Sequence, residues 1–363
     1  MKLSVLDLIP TRSGQTTGDA LDASAALAGI ADSLGFERYW VAEHHNMAAV
    51  ASTVPAVIIP YLAAGTSRIR FGSGGVMLPN HSALAVSEQF ALLESMFPGR
   101  IDLGIGRAPG TDQVTAYLLR GAAAGAAVDD FPQEVELIAR LLGVDGHPGE
   151  PVDIDLRGQA FPLRATPQLA DAPELWLLGS SNYSADLAAS MGLPYAFAHH
   201  FGMPGVDEAL QRYRAGFTET RFGVRPRTLL PVNVIVDPDP EVATRRAQPQ
   251  LVQMTELRTS GVVGRQMTIE EAERYEWNDQ RRAVAAQMSR RWIVGTPADV
   301  ADRLRVLADH HGVAEIMLSP TAGAFAAEVS GGPGARAATL ELLAAELVDQ
   351  PVGAHEPSVS SPG

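Results

Sequence analysis

The sequence predicts a (β/α)8 TIM barrel, and three observations carry that prediction. Short β-rich runs alternate with Ala/Leu-rich stretches at helical spacing, which is the pattern of a parallel sheet wrapped by helices. Roughly eight such units can be counted along the 363 residues. Gly35, Gly65, Gly99 and Gly143 each stand just past a helical stretch, where a helix C-terminus favours glycine.

The elements follow in order. Leu3–Ile9, Glu37–Ala42, Ile69–Leu78, Ile101–Ile105 and Leu175–Leu178 read as strands. Between them, Ala20–Leu34, Thr53–Ala64, Ala83–Met96 and Gln133–Leu142 read as helices. The rhythm continues with a helix at Ser184–Met191 ended by Gly192, a strand at Tyr195–Ala198 and a helix at Val206–Phe217. A strand at Leu229–Val236, a helix at Asp299–Leu307 and a strand at Ile316–Leu318 complete it. Gly143–Leu163 is rich in Gly, Pro and Asp and reads as a hairpin insertion through Val152–Leu156 and Gly158–Phe161. Residues 250–290 are polar and arginine-rich without a clean strand, and are expected to form a mobile lid. A single domain over 1–350 is expected, because α/β barrels of this length fold as one unit. The Pro/Ser/Gly-rich residues 351–363 are expected to be a disordered tail.

Composition excludes several functions. Lys+Arg number 28 against 42 Asp+Glu, a net charge of −14. A surface that negative repels phosphate backbones and acidic headgroups, so neither nucleic acid nor membrane is an expected partner. Lys2 is the sole lysine, which excludes Schiff-base chemistry and a P-loop. Cysteine is absent, which excludes disulfides, thiolate metal sites and a Cys nucleophile. The N-terminal MKLSVLDLIP has no signal-peptide core and no run reaches membrane-spanning length, so a cytoplasmic location is expected.

In an α/β barrel the chemistry sits on loops after the strand C-termini. After the second strand come Glu43, His44 and His45, a carboxylate and two imidazoles placed for proton transfer, for metal ligation or simply for holding the loop. Adjacent residues of an extended chain face opposite ways, so at most one of His44 and His45 looks into the mouth. After the third strand, Gly72, Gly74 and Gly75 interrupt an apolar run, which marks a bulge or a close approach of backbone to a ligand. After the fourth, Gly106-Arg107 ends the strand without the helix that a dinucleotide fingerprint needs; Arg107 could instead grip a phosphate. After the fifth, Gly179-Ser180-Ser181 leads into a helix carrying Ser184. This offers N–H groups and hydroxyls to an anion, although a plain N-cap reads the same way. Leu8, Met77 and Phe201 place apolar side chains near the mouth. The pairs His199-His200 and His310-His311 lack the His-x-His spacing of metal-dependent barrel hydrolases, and no metal is expected.

Together AEHHN, GSGGVMLP, DLGIGRAPGTD, WLLGSSNYSADLAASMGLPYAFAHHF and RWIVGTPADVADRL resemble the bacterial luciferase-like flavin monooxygenases, in order over residues 1–320. The resemblance is to the single-chain branch. It implies a barrel that takes reduced FMN from a separate flavin reductase and reacts it with O2. The resulting flavin hydroperoxide oxygenates a small organic substrate, which the apolar mouth residues suggest is hydrophobic. Carried over by position, His44 matches the proton-handling histidine, with Glu43 and His45 beside it as catalytic candidates. Gly74-Gly75 match a non-prolyl cis peptide held against the flavin ring. Arg107, Ser181 and Ser184 match the FMN phosphate site, with Gly106 and Ser180 adjoining them. Gly106 stands where the light-emitting subunits carry cysteine, which sets this chain apart from light emission. Family habit implies a homodimer. Competing expectations are a deazaflavin-dependent hydride-transfer oxidoreductase and a non-catalytic flavin-binding protein.

Overall fold

Along the first strand, Leu3 and Val5 pack outward among apolar helix residues, whereas Ser4 and Leu6 point into the ring of strands. That period of two repeats in every barrel strand and sorts the residues into an outer hydrophobic layer and an inner column. The computed structural model describes residues 1–348 apart from 109, 121–125, 262, 330 and 331. The expected tail, 351–363, lies outside the described residues.

The chain begins β1 (Lys2–Asp7), α1 (Thr17–Ser33), β2 (Arg38–Val41) and α2 (Pro55–Ala63). It continues β3 (Arg70–Ser73), β4 (Val76–Met77), α3 (Ala83–Met96) and β5 (Ile101–Gly106). The helices α4 (Gln113–Arg120), α5 (Ala126–Asp129) and α6 (Phe131–Leu141) precede a hairpin of β6 (Val152–Leu156) and β7 (Gln159–Leu163). Then come β8 (Glu174–Gly179), α7 (Asn182–Met191), β9 (Tyr195–Phe197), α8 (Val206–Gly216) and β10 (Thr228–Val236). The last third holds α9 (Pro240–Thr259), α10 (Ile269–Glu273), α11 (Asp279–Ser289) and β11 (Ile293–Gly295). It ends with α12 (Pro297–His311), β12 (Glu315–Pro320) and α13 (Gly334–Leu347).

Eight parallel strands close the barrel in the order β1-β2-β3-β5-β8-β9-β10-β12, with β12 returning to β1 in the register Lys2 to Glu315. The expected strand at 69–78 is two pieces, β3 and β4, both beside β5. The break is at Gly74-Gly75, whose peptide bond is cis. The insertion at 143–163 is the expected antiparallel hairpin.

Residues 250–290, expected as a mobile lid, are largely helical. They are the second half of α9 followed by α10 and α11, and Val252, Ile269, Ala272 and Ala285 are buried. Sequence polarity misled because only one narrow face of each helix is covered. Between α9 and α10 the chain is pinned to the loop after β1 by Gln266 N–H to Thr11 O at 3.0 Å and Ser13 N–H to Gln266 O at 2.8 Å. β11 then adds to the C-terminal end of β10. Among the described residues, no helix is long and apolar enough to cross a membrane.

Candidate active site

The inner column is built in layers. At the N-terminal end, Arg38 reaches Asp102 at 2.8 Å, Glu174 at 2.9 Å and Glu315 at 2.9 Å, while Arg70 reaches Asp102 at 2.6 Å. Burial alone would raise the Glu174 carboxyl, but Arg38 and Arg227 hold it down at about 2. This ionic layer plugs the barrel floor. Above it lie Trp40 and Trp176, edge to face at 5.5 Å, with Leu6 and Met317 beside them. The Trp40 indole donates down to Asp102 at 2.9 Å, tying the two layers together.

Above the tryptophans a cavity of about 320 Å³ opens at the C-terminal ends of the strands. Glycine makes the room. A Cβ at Gly74 would lie 2.7 Å from Leu6 Cδ1, and one at Gly75 would lie 2.8 Å from the Gly104 carbonyl. One end of the cavity is polar, lined by Gly106, Arg107, Ser180, Ser181 and Ser184. Arg107 stacks 3.9 Å above the Tyr183 ring and has no carboxylate within 4 Å among the described residues. Ser181 is the N-cap of α7 but makes no side-chain cap bond, so first-turn N–H groups are open to a ligand. Ser184 Oγ is already committed, donating to Ser181 O at 2.8 Å and paired with Tyr195 OH at 3.1 Å. The arrangement has the chemistry to hold an anion: a guanidinium fork, a hydroxyl and a helix end.

The expected catalytic trio divides. His44 lines the cavity with Ala42, two residues before it, as the strand's period of two continues past β2. Glu43 and His45 lie on the other face and do not line it, so of the three catalytic candidates only His44 meets the cavity. Glu43 accepts from His45 Nε2 at 2.9 Å, from His81 Nε2 at 2.7 Å and from the Met77 N–H at 3.2 Å. Burial pushes its carboxyl up, but these hydrogen bonds win and hold it below the ordinary range. Glu43 thus staples the loops after β2 and β4. The ligand atoms of Glu43, His45 and His81 lie within 4.8 Å of one another, and each is already engaged within the trio.

His200 also lines the cavity and was weighed from sequence only as half of a metal pair. Burial, reinforced by His44 and His199, drives its pKa down to about 3; burial likewise lowers that of His44. Two neutral imidazoles therefore face one apolar cavity, with Nδ1 of each buried without a hydrogen-bond partner. Leu8, Met77 and Phe201 line it as expected. The signal for His200 was its place just past the sixth barrel strand, which the search for spaced metal ligands passed over.

The fold is thus an eight-stranded parallel barrel whose mouth joins an arginine, serines and a helix N-terminus to an apolar cavity over glycine backbone. The profile of the luciferase-like monooxygenases matches residues 1–314, and the chain belongs to that family. An uncharacterized Bacillus subtilis protein, YvbT, is 38% identical over 317 residues, 87% of this chain and 90% of that one. A luciferase-like monooxygenase of Escherichia coli K12 is 44% identical over 233 residues, 64% of this chain and 65% of that one. The crystal structure of apo-MsnO8 superposes with a TM-score of 0.80 at 33% identity, covering 95% of this chain and 96% of that one.

Proposed function

We propose that the chain is a cytoplasmic monooxygenase that uses reduced FMN, delivered by a separate reductase, and O2 to oxygenate a small organic substrate. The observation that carries this reading is Arg107, a cation without a carboxylate partner at the open N-terminus of α7, at one end of an apolar cavity. Family membership supports the oxygenation. When bound in reduced form, FMN supplies two electrons, with which one atom of O2 enters the substrate and the other leaves as water.

The residues have distinct work. Arg107, Ser180, Ser181 and the α7 N–H groups would hold the phosphate. Gly74, Gly75 and Gly106 would leave room for the cofactor against the backbone, and Leu6, Leu8, Met77 and Phe201 would exclude water there. His44, neutral at pH 7, accepts or returns a proton at its ring nitrogen, while Glu43 and His45 position the loop that carries it. The strand carrying Gly104 and Gly106 runs into a loop, and α4 starts only at Gln113, so it does not form a nicotinamide fingerprint; the separate reductase is what the family resemblance implies. A second copy packed on the exposed Val57 and Tyr61 of α2 and Leu92 and Met96 of α3 completes the proposal as a homodimer.

Rapid mixing tests it. The chain loaded anaerobically with reduced FMN is mixed with oxygenated buffer and followed by absorbance. Reoxidation slower than that of free reduced FMN, and hastened by an organic substrate, is the expected result. Reoxidation at the free rate would overturn the reading, and hydride transfer with a deazaflavin coenzyme would be tried next.

A further inference from the structure

Beside the main cavity lies a second, smaller one of about 50 Å³, enclosed by the loop after β1, the ends of β10 and β12, and α9. The two share Leu6, Leu8, His200 and Phe201 as a common wall. Its volume suits a few waters or one small planar polar group, at about 10–15 Å³ per water.

Its lining is polar and incompletely paired. Arg12 is 4% exposed; its NH2 donates to the Ala322 carbonyl at 3.2 Å, and its Nε is buried without a partner. Gln253 Oε1, Gln266 Oε1 and Thr321 Oγ1 are likewise buried without partners. Buried polar atoms cost stability unless paired, and buried charges more so. The neighbouring cations have acids of their own. Arg336 pairs with Asp7, whose second oxygen also accepts from Ser24 at 2.6 Å and Tyr39 at 2.5 Å. Arg246 pairs with Asp237 at 3.0 Å and Glu328 at 2.9 Å. Arg12 has no carboxylate within 4 Å among the described residues. Burial, with Arg336 nearby, pulls its pKa down to about 10 against the opposing pull of Asp7, which also lines the pocket, and of Glu328.

We propose that this side pocket is a substrate subsite for a carboxylate, held by Arg12 while the apolar remainder of the substrate lies in the main cavity. The proposal rests on reading the main cavity as the place where cofactor and organic substrate meet. It narrows the substrate class from hydrophobic molecules in general to small apolar acids. The guanidinium fork fits a planar carboxylate and Thr321 supplies a hydroxyl, whereas the Gln266 side-chain N–H already donates to Gln250 Oε1 at 3.0 Å.

The test compares octanoate with octanol by calorimetric titration of the full chain, with and without oxidised FMN. The expected result is that octanoate binds at least about tenfold more tightly than octanol, and that Arg12→Met abolishes the difference. Gln266→Glu serves as a second variant, because Gln266 pairs in register with Arg12 and lines the same pocket. It gives Arg12 an internal carboxylate, and is expected to abolish the preference while leaving the fold intact. Equal binding of the two probes to the wild type, or a preference that survives Gln266→Glu, overturns the proposal. Titration with FMN alone keeps the two readings separate. If FMN fails to bind while the octanoate preference holds, the flavin reading falls and the anion pocket stands; the reverse removes only the pocket.

Discussion

His44 and Glu43 are neighbours with opposite work. His44 meets the cavity, so His44→Gln should leave FMN affinity unchanged and lower kcat by about 10²–10⁴-fold, the usual worth of a general acid–base group. Steady-state kinetics beside a flavin titration would check both halves; a parallel loss of affinity would make His44 a binding residue instead. His200 offers a pH-dependent readout. Its pKa is about 3 in the folded chain, whereas an unfolded histidine titrates near 6.5. Between those values the unfolded chain holds one proton more, so stability falls as pH falls through the window and is flat above it. His200→Gln should remove that contribution, making the loss less steep by about 1.4 kcal/mol per pH unit between pH 6 and 4. Denaturation curves at several pH values test this, and parallel slopes would count against it. At this scale the sequence was half legible. Alternation told that only one of His44 and His45 faces inward, and the same rule places Glu43 with His45. Arg12 was not legible, because Thr-Arg-Ser-Gly reads as a turn and nothing in sequence marks a missing counter-ion.

Among the elements, β3, β4 and β5 shape the cavity by what they omit. A Cβ at Gly104 would fall against the Ser73 carbonyl, and backbone cannot step aside as a flexible side chain can. Gly104→Ala should therefore cost about 1–3 kcal/mol as an overpacking change. Gly65→Ala, where nothing lies within 4 Å, should cost almost nothing. Chemical denaturation of the pair measures the difference, and similar midpoints would mean that β5 yields. The glycines after the third strand, Gly72, Gly74 and Gly75, signalled a bulge or backbone approach from the sequence, whereas Gly104 did not. The helices of 240–290 were harder to read. Clustered arginines mask a pattern in which α9 buries Ala243, Ala247, Pro249 and Val252 among its apolar residues. A helix held along so narrow a strip looks like polar loop to any reading of periodicity.

For the whole molecule, the ionic floor closes one end of the barrel and leaves the other for ligands. Arg38→Met would leave Asp102, Glu174 and Glu315 crowded around a lost cation, and should cost about 3–5 kcal/mol, as breaking a buried ion pair does. Thermal and denaturant unfolding would show it; an unchanged midpoint would mean that water solvates the floor. The eight-fold architecture was legible because strand and helix periods differ so plainly. The floor was not, because its charges come from five strands distant in sequence. The phosphate end lies between these cases, since Arg107 and Ser181 stand 74 residues apart and only barrel closure brings β5 beside β8. That juxtaposition underlies the flavin reading, and riboflavin, which lacks the phosphate, tests it most directly. In equilibrium titrations FMN should bind the wild type about ten- to a hundredfold more tightly than riboflavin, and Arg107→Met should erase most of that margin. Equal affinities in the wild type, or a margin indifferent to Arg107, would contradict the assignment.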